Sequence, residues 1–293
     1  GSIDVALTRA VIWASLWNAV RDGLLDPRRF IVAVLTAVPA ETEPAIRDRL
    51  LLFVAEAISS FLPGGLRTDV HDQVLATVIR LSRETEDADA WRSYTRAFIA
   101  EFAARGGDEY EAMVRGFAAS DNPDIAWRAR RALAARGLVD AGAVEAWRST
   151  DGSGEAARMS VEALASLPID EARSHAWDSV YSETLSNDFL TATLAGLQAS
   201  SWDGEAGIEA AVDRLRSYWE SHTIGMALRY ANGVLAYGLD SDRDGSVSRS
   251  VGLLRSWLDT NGDAPAQLRR IVIEHLDAFE RDERVQRRWK QDQ

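Results

Sequence analysis

Apolar residues recur at helical spacing along nearly all of this 293-residue chain, and no run alternates as a strand would. That periodicity narrows the possible folds more than any other feature. Trp13 and Trp17 stand four apart, Val20 continues their stripe, and Gly23 ends it. Asp26 before Pro27 reads as a cap with proline in the first turn, and Phe30, Ile31, Val34, Leu35 and Val38 form the buried face. Thr42, before Glu43-Pro44, reads as the opening of a third helix with Ile46, Leu50, Val54 and Ile58 inward, stopped by Pro63-Gly64-Gly65. Further stripes run through Val70 to Leu81, Trp91 to Phe102 and Tyr110 to Phe117, with a stop at Gly106-Gly107. Asn122-Pro123 opens a helix with Trp127 and Leu133 that ends at Gly137, and Val144 with Trp147 marks a short one. Asp170 reads as a cap before Trp177 and Val180. The pattern continues through Phe189–Leu197, Ile208–Trp219, Ile224–Leu235 and Leu254–Leu258. Asp263-Ala264-Pro265 starts the last helix, whose charged tail, Arg281 to Gln293, is expected to fray.

About fifteen helices joined by short loops give a helical pair roughly every 35–45 residues, the period of HEAT and armadillo solenoids. No textual consensus repeats. Each pair leaves an apolar face that only a neighbouring pair can cover. The expected fold is therefore all-α: a HEAT/armadillo-like α-α superhelix, one curved solenoid of helical pairs spanning residues 3–293 without linker-separated domains. Asp151-Gly152-Ser153-Gly154 is either a hinge or, more simply, an inter-helix turn. Gly1-Ser2 reads as a tag scar.

Composition excludes several classes of function. With no cysteine there is no disulfide framework, thiol nucleophile or Cys-ligated metal. A net charge of −12 repels phosphate backbones, so nucleic acid is not an expected partner. Lys290 is the sole lysine, which leaves none for a P-loop or an interior Schiff base. No segment has the ~20 apolar residues of a membrane span, and no signal peptide is evident.

The candidate chemistry is sparse. His71, His175, His222 and His275 have no second histidine nearby, and none is followed by glutamate, so the H-E-x-x-H zinc helix is absent. Each reads as a core or surface histidine. Asp240, Asp242 and Asp244 with Gly245 reproduce the first half of a calcium loop, but position 12 is Val251 and the bidentate glutamate is missing. A polar inter-helix loop explains the same residues. Gly64-Gly65, Gly106-Gly107 and Gly152-Ser153-Gly154 follow no strand and read as helix stops. The ten tryptophans read mainly as wedges between layers. Arg128, Arg130 and Arg131, and Arg269-Arg270, read as solvated faces; alternatively, some arginine pairs with a peptide's terminal carboxylate. No catalytic, cofactor-binding or metal residue is assigned.

One segment is less generic. Arg9-Ala10, Trp13, Trp17-Asn18, Arg21-Asp22-Gly23 and, some twenty residues on, Glu41-Thr42-Glu43 follow an order that resembles the ERAP1-like C-terminal domain of M1-family zinc aminopeptidases, the bacterial aminopeptidase N group especially. The last helix, with Arg269-Arg270 and Glu274, is similar to the family's closing segment. The resemblance implies a non-catalytic helical bowl that encloses a peptidase's active-site chamber and restricts peptide access. It also implies a cytoplasmic hydrolase whose zinc sits elsewhere in the parent chain, with that chain's catalytic and N-terminal domains and peptide substrates as partners. The family's zinc ligands and its G-x-M-E-N loop have no counterpart here; Gly225-Met226-Ala227 is only superficially similar. A free-standing HEAT-like scaffold that binds a protein partner is the competing expectation. An independent enzyme is a poorer one, because no acid–base or nucleophilic constellation stands out along the sequence.

Overall fold

The computed structural model describes residues 3–182, 185–199, 205–236 and 246–290. Every regular element among them is helical. The chain divides into two compact units.

The first unit comprises residues 3–105 and the end of the last helix, from Glu280 onward. Its elements are α1 (Ala6–Arg21), α2 (Pro27–Ala37), a 3-10 turn (Val38–Ala40), α3 (Pro44–Glu56), a π-helical turn (Ala57–Phe61), α4 (Gly64–Glu84) and α5 (Ala88–Arg105). Helices α4 and α5 lie along each other, and α3 packs on α5. Trp17 is the hub of the α1–α3 core. It stacks on Phe53 at 4.4 Å and meets Phe30 and Phe61 at 5.6 Å each. Asp26 caps α2 by accepting from the Arg28 backbone N–H at 2.8 Å, as the Asp-Pro pair predicts.

The second unit comprises α6 (Asp108–Ala118), α7 (Pro123–Ala135), α8 (Ala141–Thr150), α9 (Gly154–Ala165), α10 (Asp170–Val180), α11 (Asn187–Ala199), α12 (Glu205–Asp213), α13 (Leu215–Ser221), α14 (Ile224–Leu235) and α15 (Ser246–Thr260). It also takes α16 (Ala266–Lys290) as far as Phe279. Here the solenoid logic is explicit. Helices α7, α9, α11 and α14 contact one another in chain order as one layer. Helices α6, α8, α10 and α13 each pack on their own partner in that layer. Every second helix is thus the neighbour that buries its predecessor's face, the arrangement of an α-α superhelix. Helices of this layer approach closely at glycines. A Cβ on Gly196 of α11 would lie 2.2 Å from the Glu162 carbonyl oxygen of α9, and one on Gly233 of α14 would lie 2.6 Å from Leu194.

Stops and starts differ from the sequence expectation in five places. Gly64 and Gly65 begin α4 instead of ending α3, because α3 runs into the π turn, which closes with Leu62 N–H donating to the Ala57 carbonyl at 3.1 Å. Glu43, not Thr42, precedes α3, and neither caps it; the Glu41 carboxylate takes the Glu43 N–H instead, at 2.9 Å. Ile169 is the residue before α10, and Asp170 is its first. The Ile208–Trp219 stripe is divided between α12 and α13 at Arg214. The tail of α16 stays helical to Lys290 and buries Val285 at 1% exposure, so the apolar residue within the charged run anchors it. The segment Asp151–Gly154 joins α8 to α9, where the Ser153 hydroxyl accepts from the Ala156 N–H at 3.1 Å.

Candidate functional site

The unusual N-terminal motif converges in space. Arg9 reaches from α1 to Glu41, donating through Nε at 2.9 Å and Nη2 at 2.7 Å, a bidentate fork on a carboxylate whose side chain is only 4% exposed. The third guanidinium nitrogen donates to the Ile3 and Asp4 carbonyls at 3.0 Å each. The Arg9 hydrogen bonds hold the Glu41 carboxyl below its ordinary range. Buried Arg47 of α3 donates to the Glu41 carbonyl at 2.7 Å and lies 5.9 Å over the ring of Tyr94, whose hydroxyl donates to the Val38 carbonyl at 3.2 Å. The motif is therefore a clasp: it fastens α1 to the entry of α3 and closes around the tryptophan core. Gly23, at φ +69, adopts a left-handed conformation that a side chain would strain. It faces Val285 and Arg288 from α16.

The candidate arginines are each engaged within their own surroundings. Arg128 pairs with Asp124 at 2.8 Å, Arg131 with Glu162 at 2.5 Å, and Arg270 with Glu274 at 3.4 Å. Arg130 donates to the Ala118 carbonyl and lies over the rings of Trp127 and Trp147, where burial pulls its pKa down. Arg269 donates to the Leu258 and Asn261 carbonyls. These groups bind helix ends and partner carboxylates within the chain.

The histidines likewise stay apart. His71 of α4 bonds Glu101 of α5 through Nδ1 at 2.5 Å, with side chains 14% and 6% exposed. His275 of α16 meets Asn232 at 3.4 Å, and burial lowers its pKa. His222 follows α13, and His175 lies on α10. Among the described residues no three histidine, aspartate or glutamate side chains gather as a metal site requires. Asp240, Asp242 and Asp244 lie outside the described residues.

An aromatic column in the second unit was hidden from sequence reasoning. Trp177 stacks near Tyr181 at 5.9 Å, Tyr181 meets Tyr230 at 6.2 Å, Tyr230 stacks on Tyr218 at 3.9 Å, and Tyr218 stacks on His222 at 3.7 Å. The Arg214 guanidinium lies 4.2 Å over Tyr181. Burial pushes the Tyr218 phenol up to about 12 and raises those of Tyr181 and Tyr230 as well. All three are protonated at neutral pH and cannot act as bases. Trp177 Nε1, the Tyr218 hydroxyl and His222 Nε2 are buried without a hydrogen-bond partner among the described residues. The column packs α10, α13 and α14 together through ring contacts. Only the i,i+4 spacing of Trp177–Tyr181 and Tyr218–His222 was available in the sequence to suggest it.

Comparison with known proteins agrees with this architecture. The chain is 26% identical over 299 aligned positions to aminopeptidase N of Streptomyces lividans, an alignment that takes in 98% of the chain and 34% of that relative. The chain therefore spans about a third of the relative's length. The ERAP1-like C-terminal domain family matches residues 2–281, which include the Arg9–Glu41 clasp, the tryptophan core and the whole two-layer helical stack. By that match and by its paired helices, this chain belongs to the ERAP1-like C-terminal domain family.

Proposed function

We propose that residues 3–293 act as the non-catalytic, C-terminal helical domain of a longer zinc-dependent aminopeptidase of the M1 family, walling the chamber in which that enzyme removes N-terminal residues from peptides. The observation that carries this is the family match over residues 2–281, together with an aminopeptidase N relative of which the chain spans 34%. Zinc, the general base and the exopeptidase carboxylate belong to the remainder of the parent chain. The contribution of the present residues is surface: packed helices that exclude water and bulky peptides and leave chemistry to another domain. The natural partners are the parent's catalytic and N-terminal domains and its peptide substrates. No described helix is long and apolar enough to cross a membrane. A cytoplasmic location completes the proposal.

Helix α1 supports the partnership with the rest of the parent chain. Leu7 is 73% exposed and Val11 56%, one turn apart on the same face, and Ile12 and the preceding Val5 add to the apolar surface. Neighbouring exposed apolar residues form a patch of the kind that contact surfaces use. Photo-crosslinking tests the chamber assignment. A non-hydrolysable peptide carrying a benzophenone near its C-terminus is irradiated with the full-length parent, and adducts are mapped by mass spectrometry. Adducts within this chain's residues are expected; adducts confined to the remainder of the parent would overturn it.

A further inference from the structure

Within the first unit, the last turns of α16 pack near Gly23 and the π turn around an acid that is buried where a charge is poorly tolerated. Val285 is 1% exposed and faces Gly23, and Gln286 Nε2 donates to the Ser60 carbonyl at 2.7 Å, across 226 residues of chain. Ser60 belongs to the π turn Ala57–Phe61, whose widened hydrogen-bond pattern is uncommon in proteins and recurs at functional positions. About one helical turn before Val285 and Gln286 sits Asp282, with a side chain 13% exposed. Its Oδ1 is buried and has no hydrogen-bond partner among the described residues. The adjacent Arg281 Nε is 3.7 Å away, too far for a hydrogen bond, and is itself buried and unsatisfied.

Three elements set the charge environment. From α1, Arg21 attracts the carboxylate; from α3, Glu56 repels it; from the π turn, the Ser60 hydroxyl bonds it. On α16 itself Arg281 attracts it. Burial outweighs all of these and raises the acid to about 7.

We propose that Asp282 is a proton-operated latch: protonated, it lets the end of α16 stay seated on the π turn; ionised, it loosens that seat. The proton is exchanged with solvent, and no other group need change state. The docked acid holds its proton more tightly than the exposed one, so docking is strongest below about pH 4. It weakens by about tenfold per pH unit as pH rises towards 7, and levels off above that.

Hydrogen exchange of the intact chain, read by mass spectrometry on peptides covering residues 280–290 and corrected for the intrinsic pH dependence of exchange, tests this between pH 5 and 8.5. In the wild type, the opening of that segment should increase about a hundredfold from pH 5 to 7 and then plateau. Peptides from α9 serve as an internal reference and should not follow this profile. Asp282→Asn, nearly isosteric and uncharged, should keep the low-pH protection throughout. Gln286→Ala should loosen the segment at every pH without changing the slope. A flat wild-type profile, or an Asp282→Asn profile with the wild-type slope, overturns the latch.

Discussion

A methyl group at position 196 has no room. Its nearest neighbour would be a backbone carbonyl oxygen at 2.2 Å, and the Ala165 Cβ would follow at 2.7 Å. Neither can rotate away, so α9 and α11 would have to separate. Gly196→Ala is expected to cost about 3 kcal/mol in chemical denaturation, whereas Gly65→Ala, which meets nothing within 4 Å, should change stability by less than about 1 kcal/mol. Glu41 gives a pH-dependent counterpart. Its carboxyl is held below the ordinary range in the folded chain. The clasp with Arg9 therefore contributes fully above about pH 5 and fades as pH falls through the lowered value. Glu41→Gln should lower the thermal midpoint at pH 7 by about 4 °C, and the difference from wild type should shrink towards pH 3. Neither site was legible in the sequence for what it does. A glycine within a helical stripe does not say which backbone approaches it. Arg9 and Glu41 stand 32 residues apart, with nothing local to pair them.

At the scale of elements, local chemistry was a better guide. Asp26-Pro27 and Asn122-Pro123 open α2 and α7, with the Asn122 side chain accepting from the Asp124 N–H at 3.1 Å. Gly106 and Gly137 follow α5 and α7 with φ of +78 and +67. These positions are decided by the residues at hand. Breaks decided by distant contacts were missed. Arg214 interrupts one apolar stripe, with its guanidinium over Tyr181, and the tail of α16 is ordered by Val285 instead of fraying. The exposed apolar face of α1 carries a prediction of its own. In the isolated chain nothing among the described residues covers Leu7 and Val11. Sedimentation velocity at increasing concentration should reveal reversible self-association, and the double substitution Leu7→Ser with Val11→Ser should abolish it without shifting the thermal midpoint by more than a few degrees.

At the scale of the chain, the described polar and aromatic side chains are engaged between helices within each unit. Arginines tie down carbonyls and partner carboxylates, buried tyrosines stay protonated, and the histidines stand apart. Under the function proposed above, the domain shapes and closes a space around chemistry performed by the rest of the parent chain. The most direct measurement is turnover. The isolated chain is incubated with an aminoacyl-naphthylamide and added zinc, beside the full-length parent under the same conditions. Release of naphthylamine by the parent with none from the chain is the predicted result. Zinc-dependent release by the chain alone would contradict it.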